Sequence, residues 1–354
     1  MASGVAIIGS GNFVKDEHLA SIHQTNHLKT AVQSTPSLTL KAIYSRTLKS
    51  AQSVSENLPH IDLYSSDCGS GKSYTDLLAR PDISAVIIAL PILNQPAYIK
   101  EALRAGKHVL AEKPIAKDIA TAKELLEWYH REIDTKAVTF GVAENFRYLD
   151  SFLYAAGQAR TMGRVLGFRT RMQTFVRPGS KYYETAWRKT PEYQGGFLLD
   201  GGVHFVAGTR MLLGADARVA SVCAYTTQLQ EHLPPVDTVD ASFKLANGSS
   251  GTFSVSFGTM FSGSEYAIAC EKGVVTVVRS TVTVKKDGKE ESKTFDGEGA
   301  GVKQEVKAWA ESLEKGSQNE EQRPEEALAD LEILEAMLLS GEKHGRPMDL
   351  ELQI

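Results

Sequence analysis

The reading of the fold turns on Val5-Ala6-Ile7-Ile8-Gly9-Ser10-Gly11-Asn12-Phe13-Val14. Four consecutive apolar residues leave no wet face, the pattern of a strand buried on both sides. The glycines that follow let the backbone turn sharply and approach a ligand. The helical pattern around Leu19 and Ile22 then presents its positive end to a pyrophosphate at that turn. Gly9 and Gly11 supply the first two glycines of G-x-G-x-x-G, and Val14 stands at the third, where a glycine allows close helix–strand packing. Its replacement shifts the helix without removing the phosphate site, and the place of the motif between strand and helix sets it apart from a chance glycine turn.

Outward from this stretch, short apolar runs at 38–44, 85–89, 109–111 and 138–140 alternate with helical patterns at 74–78, 96–105 and 119–131. That alternation predicts a doubly wound parallel sheet, an α/β Rossmann domain over residues 1–147. Beyond Arg147 the texture changes. Strand patterns at 165–175, 219–229, 238–245, 252–261 and 265–278 are linked by hairpin signals, and residues 282–284 continue into a charged outer hairpin. Asn247-Gly248 and Asp287-Gly288 favour type I′ turns. Residues 148–354 are therefore expected to form an α+β domain with a large, mainly antiparallel open sheet. No charged residue lies between Arg218 and Glu231 or between Lys244 and Glu265. Strands without a wet face are covered on both sides, here by helices on one and a second subunit on the other, which predicts a homo-oligomer. Final helices at 302–313 and 324–339, split by the polar loop 315–323, are expected to pack back towards the first domain.

Composition sets the outer limits. A chain of 354 residues suits two domains, and 42% apolar residues is too many for disorder. With 39 Lys and Arg against 43 Asp and Glu, the net charge of −4 offers no basic field for nucleic acid. No apolar stretch approaches the ~20 residues that cross a bilayer. The first residues lack a positive n-region and long apolar core, so no signal peptide is expected. Cys68, Cys223 and Cys270 are odd in number and carry no C-x-x-C spacing, which suits a reducing compartment. The sequon Asn247-Gly248-Ser249 reads as a hairpin turn. A soluble, cytoplasmic protein acting on a small molecule is the expectation.

The end of the second strand selects among dinucleotides. An acidic residue there bonds ribose hydroxyls, but this chain reads Tyr44-Ser45-Arg46-Thr47. A guanidinium flanked by two hydroxyls suits a 2′-phosphate, so NADP(H) is expected over NAD(H), with Ser45, Arg46 and Thr47 in contact. Asn12 and Phe13 of the glycine turn join Gly9 and Gly11 as cofactor neighbours.

A further block, Glu112-Lys113-Pro114-Ile115-Ala116, follows the strand at 109–111. With Pro81-Asp82-Ile83-Ser84-Ala85-Val86, Ala105-Gly106-Lys107-His108-Val109 and Gly195-Gly196-Phe197-Leu198-Leu199-Asp200-Gly201-Gly202-Val203-His204, it resembles the glucose–fructose oxidoreductase and inositol dehydrogenase (Gfo/Idh/MocA) family over most of the chain. The resemblance implies that Lys113 lies beside the nicotinamide with Glu112, and that Asp200 and His204 complete the catalytic set. Four residues apart on a helix, those two share a face. Alcohol oxidation removes a hydride from carbon and a proton from oxygen. Either His204 or Lys113 takes that proton while Asp200 holds or polarises the site. Burial and a cationic nicotinamide both lower a lysine's pKa towards the useful range. Gly201 and Gly202 cost about 1 kcal/mol each inside a helix, which is explained if a ligand comes close there.

Taken singly, Lys113 reads as a surface lysine, His204 as a core histidine and Asp200 as a helix cap; their joint occurrence in two blocks outweighs this. The chain departs from the family pattern after the strand at 85–89, where Leu90-Pro91-Ile92-Leu93-Asn94-Gln95 replaces Pro-Asn…His, and at Ala207 in place of Asp. Leu90, Pro91, Asn94 and Gln95 are expected beside the cofactor, with Gln95 in the histidine's place. Asn145, Arg147, Tyr182 and Arg188 map near the family's substrate region. Arg169 and Arg171 face the same way on a strand and are assigned to acids at the surface. Gly71-Lys72-Ser73 imitates the end of a phosphate loop, but Ser66 stands where its first glycine belongs and Ser65-Ser66-Asp67 is no buried strand. His18, His23 and His27 read as a solvated helix face, and no metal site is expected. The reading is an oxidoreductase acting on a sugar, polyol or related hydroxyl or carbonyl compound. The alternative is a non-catalytic dinucleotide-binding regulator similar to the galactose-pathway repressor of the same family.

Overall fold

The structure, a computed structural model, describes residues 2–18, 31–32, 34–56, 58 and 60–354. The helical pattern around Leu19 and Ile22, and with it His23 and His27, lies outside them. The chain divides into two units, Met1–Glu144 with Val302–Pro324, and Asn145–Gly301 with Glu325–Ile354.

In the first unit, β1 (Ser3–Ile8), β2 (Leu38–Ser45), β3 (Asp62–Ser65), β4 (Ala85–Ile88), β5 (His108–Glu112) and β6 (Phe140–Ala143) form a parallel sheet in the order β3-β2-β1-β4-β5-β6. Helices α1 (Leu48–Ser55), α2 (Tyr74–Leu78), α3 (Gln95–Arg104) and α4 (Ile119–Glu132) connect the strands. Val5 to Ile8 and Val86 to Ile88 have no exposed surface, as their unbroken apolar runs require. The winding reverses between β1 and β4, so a crevice opens at their carboxyl ends. Strand β3 has no counterpart in the sequence reading. It pairs with β2 alone at the sheet edge, and its exposed Asp62 hides its pattern. Gly71-Lys72-Ser73 ends as a helix cap: the Ser73 hydroxyl accepts the Asp76 N–H at 3.2 Å, and the Asp76 carboxylate accepts the Ser73 N–H at 2.8 Å.

The second unit carries α5 (Asp150–Arg160), β7 (Val165–Gln173), α6 (Ala186–Lys189), α7 (Gly196–Leu213), β8 (Val219–Thr227), β9 (Thr238–Leu245), β10 (Ser250–Ser256), β11 (Gly263–Cys270), β12 (Gly273–Val278), β13 (Thr281–Lys286) and β14 (Lys289–Thr294). Of the last helices, α8 (Val302–Lys315) belongs to the first unit and α9 (Pro324–Glu342) lies almost wholly in the second, followed by β15 (Met348–Asp349). The sheet order is β14-β13-β12-β11-β7-β10-β9-β8-β15, parallel at β7–β10 and antiparallel at every other pairing. The expected fold class, a Rossmann domain plus a large, mainly antiparallel sheet, is the one observed.

Two local readings change. The single strand expected at 265–278 is the hairpin β11–β12, whose turn Glu271-Lys272 carries no Asn or Gly at its centre. Asp287 and Gly288 both have positive φ, as a type I′ turn demands, but Asn247 does not. There the Gly248 N–H bonds the Leu245 carbonyl at 3.0 Å, and Gly248 alone takes positive φ, so a three-residue loop with a bulge joins β9 to β10. Among the described residues helices cover one face of the uncharged strands, as expected. α5 and α7 pack on the side of Val239, Ala241, Phe243 and Leu245, while Tyr225, Ser250 and Thr252 are exposed on β8 and β10. Arg169 pairs with Glu265 of the neighbouring strand, in keeping with its assignment to a surface acid.

Arg147, expected near the substrate region, is instead buried in an ion pair: its guanidinium lies 2.6 Å from Asp330 of α9, with the two side chains 3% and 1% exposed. Arg210 of α7 binds the other Asp330 oxygen at 2.7 Å and Glu326 at 3.0 Å. Two buried cations thus share the Asp330 carboxylate, with Glu326 beside it. Asp330→Asn keeps the shape and removes the charge, so urea unfolding should show a loss of about 3–5 kcal/mol. An unchanged midpoint would contradict the network's structural role.

Candidate active site

The first unit builds a dinucleotide cradle at the carboxyl ends of β1, β2 and β4. Gly9 has φ +130°, and a Cβ there would lie 2.2 Å from the Ala89 carbonyl oxygen, so only glycine fits. Its N–H bonds the Tyr44 carbonyl at 2.8 Å, which ties the turn to β2. The Cβ position of Gly11 meets only open space. The Ser10 and Ser45 hydroxyls join at 2.6 Å, and the Thr47 hydroxyl caps α1 by accepting the Ser50 N–H at 3.2 Å. Both the Ser45 and Thr47 hydroxyls are therefore engaged by the protein, while Arg46 between them is exposed and makes no ion pair among the described residues.

From Val14, which is buried, the chain runs in a wide π-type turn, Val14–His18. His18 is not solvated, as the sequence reading had it. It is fully buried, its Nε2 lies 2.8 Å from Glu112 Oε1 at the end of β5, and the Phe13 ring meets it edge-on at 5.5 Å. Gln95 holds the same segment from the other side. Its Nε2 donates to the carbonyls of Glu112 at 2.8 Å and Pro114 at 3.4 Å, so the backbone is gripped on either side of half-buried Lys113. Fully buried itself, Gln95 supports the Lys113 segment rather than touching a cofactor. Leu90 and Pro91 lie half-buried just beyond β4, and Asn94 is exposed before α3.

The second unit holds Asp200 and His204 in fixed orientations on α7. The buried Asp200 carboxylate accepts from Arg188 Nε at 2.7 Å, and that guanidinium rests 4.0 Å from the Trp187 ring and 5.8 Å from the Tyr182 ring. One turn along, the half-buried His204 ring stacks on Phe146 at 5.0 Å and 18°. Asn145, beside Phe146, donates its amide to the Ala300 carbonyl. Burial, and after it the Asp200 charge, push the Tyr193 phenol well above its ordinary pKa and keep it protonated. Its hydroxyl is buried without a hydrogen-bond partner. Sequence reasoning missed His18, Phe146 and Tyr193. Each reaches its neighbours through tertiary packing, and no local spacing marks it. Among the described residues no group of three or more His, Cys, Asp or Glu gathers as a metal site.

Gly201 has an internal cause. A Cβ at Gly201 would lie 2.8 Å from the Phe257 ring, and one at Gly202 3.4 Å from Leu334. Packing of α7 on the sheet thus explains Gly201 without a ligand, whereas a Cβ at Gly202 would meet Leu334 only at ordinary contact distance.

Two models of one oxidoreductase family match the chain, an NAD-binding Rossmann fold over residues 3–140 and a C-terminal alpha/beta domain over 158–350. Dehydrogenase FPY6 of Fusarium mangiferae is 41% identical over 352 residues, 97% of each chain. An oxidoreductase from Thermotoga maritima superposes with a TM-score of 0.85 at 25% identity, covering 99% of this chain and 98% of that one. A 3-ketoreductase from Actinomadura kijaniata, solved with NADP and TDP-benzene, shares the fold with a TM-score of 0.77 at 20% identity over 96% and 98% of the chains. Another solved structure of this fold holds NAD. The chain belongs to the Gfo/Idh/MocA oxidoreductase family, and its first unit contains that family's nicotinamide-dinucleotide-binding domain. Because Gly201 answers to Phe257, Gly201→Val should lower the stability of the unliganded protein by about 1–3 kcal/mol in a thermal melt. An unaltered melt would return the glycine to a ligand role.

Proposed function

We propose that this member of the oxidoreductase family moves a hydride between NADP(H) and the carbinol or carbonyl carbon of a sugar, polyol or related small molecule. The observation that carries the reading is the pair on α7, with Asp200 fixed by Arg188 and His204 fixed by Phe146. Such pre-orientation is what general acid–base work on a hydroxyl needs. Gly9, Gly11, Asn12 and Phe13 would hold the pyrophosphate side of the cofactor, and Leu90, Pro91 and Asn94 its neighbouring surface. When bound, the nicotinamide supplies the hydride acceptor or donor. Lys113 or His204 then receives or returns the hydroxyl proton, Asp200 keeps the local charge in place through Arg188, and Tyr182 borders the substrate. Relatives named as reductases of a dideoxy sugar and of 1,5-anhydro-D-fructose support the substrate class. The regulator alternative is not favoured, since those relatives carry enzyme names.

The preference for NADP(H) rests on Arg46. With Ser45 and Thr47 engaged elsewhere, its guanidinium is the group available for a 2′-phosphate, and no acid stands there to bond the ribose. The exposed sheet face bearing Tyr225, Ser250 and Thr252 is proposed to meet a second copy, in the reducing interior of the cell.

Titration with NADPH and NADH should show tighter NADPH binding. Arg46→Ala should weaken NADPH by roughly 10–100-fold, the value of a bond to a charged group, and leave NADH nearly unchanged. A preference for NADH overturns the cofactor assignment. Lys113→Met should cut kcat by about 100-fold or more with NADPH affinity retained, and an unaffected rate removes Lys113 from the chemistry. Sedimentation at micromolar concentration should give an oligomer; a 38.6 kDa species would contradict it.

A further inference from the structure

The second unit holds a cavity of 470 Å³ that the hydride-transfer reading leaves unused. Its walls include Phe146, Phe152, Tyr266 and Phe295, with Met172 of β7 beside them. Small-molecule sites commonly measure about 300–1,000 Å³ and set a few polar groups in apolar walls. Phe146 also stacks on His204, so the cavity begins one ring away from the proposed acid–base pair.

Several polar groups at its edge are already committed. Asn145 donates to Ala300, the Glu298 carboxylate accepts from the Ser151 N–H at 2.9 Å and hydroxyl at 3.0 Å, and the Ser264 hydroxyl accepts the Arg279 N–H at 3.3 Å. Arg279 remains: it lines the cavity, is exposed, and makes no ion pair among the described residues.

The backbone under Arg279 gives a second, independent observation. Val278 pairs with Thr281, so Arg279-Ser280 is a two-residue loop between β12 and β13. Arg279 has φ +53° and Ser280 has no positive φ, the sign pattern of a type II′ turn, whose first central position ordinarily belongs to glycine. An arginine held there against backbone preference points to a use for its side chain.

We propose that this cavity binds a flat apolar or aromatic group bearing an anion, with the ring among the phenylalanines and the anion on Arg279. We further infer that this group is the distal part of the substrate, a clause that rests on the hydride-transfer reading; the binding of an aryl anion does not.

The test uses the full chain and 2-naphthoate, with neutral 2-naphthamide as the control, read by naphthalene fluorescence. The acid should bind at least tenfold tighter than the amide. Arg279→Gln should erase that preference, and Phe295→Ala should weaken both probes. Arg279→Gly also relieves the backbone, so it should melt no lower than the parent and still lose the preference. Equal affinity for the two probes, no binding at millimolar concentration, or a preference that survives in both Arg279 variants overturns the site.

A second arm compares kcat/KM for 4-carboxyphenyl and phenyl glucosides with NADP. A carboxylate preference that disappears in Arg279→Gly supports the substrate assignment. Naphthoate binding alongside equal kcat/KM values refutes that assignment and leaves a site for a free aryl acid. Naphthoate binding with no turnover of any sugar or polyol overturns the hydride-transfer reading instead.

Discussion

The constraint on which the rest of the first unit depends is the approach of Gly9 to Ala89. A strand with no wet face can lie only at the middle of a sheet covered on both sides, and β1 does so with β2 and β4 against its flanks. At its carboxyl end the chain must leave the sheet where β4 also ends, within 2.2 Å of where a Cβ would sit. Any side chain would part the two strands at the point where the winding reverses. The crevice, the open space beside Gly11 and the placing of Lys113 just beyond the next strand all follow from that contact.

Charge in the second unit is managed by pairing. Asp200 with Arg188, and Asp330 with Arg147 and Arg210, place buried carboxylates against guanidiniums at hydrogen-bonding distance. Unpaired, any of these would cost several kcal/mol to bury. The two clusters differ in setting. The Asp330 cluster is closed on both sides by protein, whereas Asp200 shares its helix face with half-buried His204. The first stabilises α7 against α9, and the second leaves a polar group oriented next to open surface.

Most of the fold was legible because burial on both faces and hairpin chemistry leave plain marks in a sequence. Residues 5–8 and 85–88 read as central strands for the same reason that they became so. What escaped was set by context. β3 is short and lies at an edge with Asp62 outward, and the β11–β12 turn has ordinary residues at its centre. Of the candidate site residues, Lys113, Asp200 and His204 stand in blocks whose spacing can be recognised. Their supports cannot be read that way, because Gln95 acts on backbone carbonyls, Phe146 precedes His204 by 58 positions in the numbering, and His18 meets Glu112 across 94. Arg147 looked like a ligand contact because an arginine's partner, here Asp330, is invisible until the chain is folded. Gly201 of α7 misled for a related reason, since an aromatic ring packed from the sheet asks for the same missing Cβ as a bound molecule.

The first unit is not a continuous piece of chain. Residues 302–324 complete it after the whole of 145–301 has been made. α8 packs on the turn that ends at His18, and Gln322 lies against β6 at Gly141. During synthesis at about 5–20 residues per second, the nascent Rossmann sheet therefore waits on the order of ten seconds for its last elements. A ribosome stalled anywhere in that interval would hold a dinucleotide fold still missing one helix, with part of its apolar surface open to chaperones and proteases.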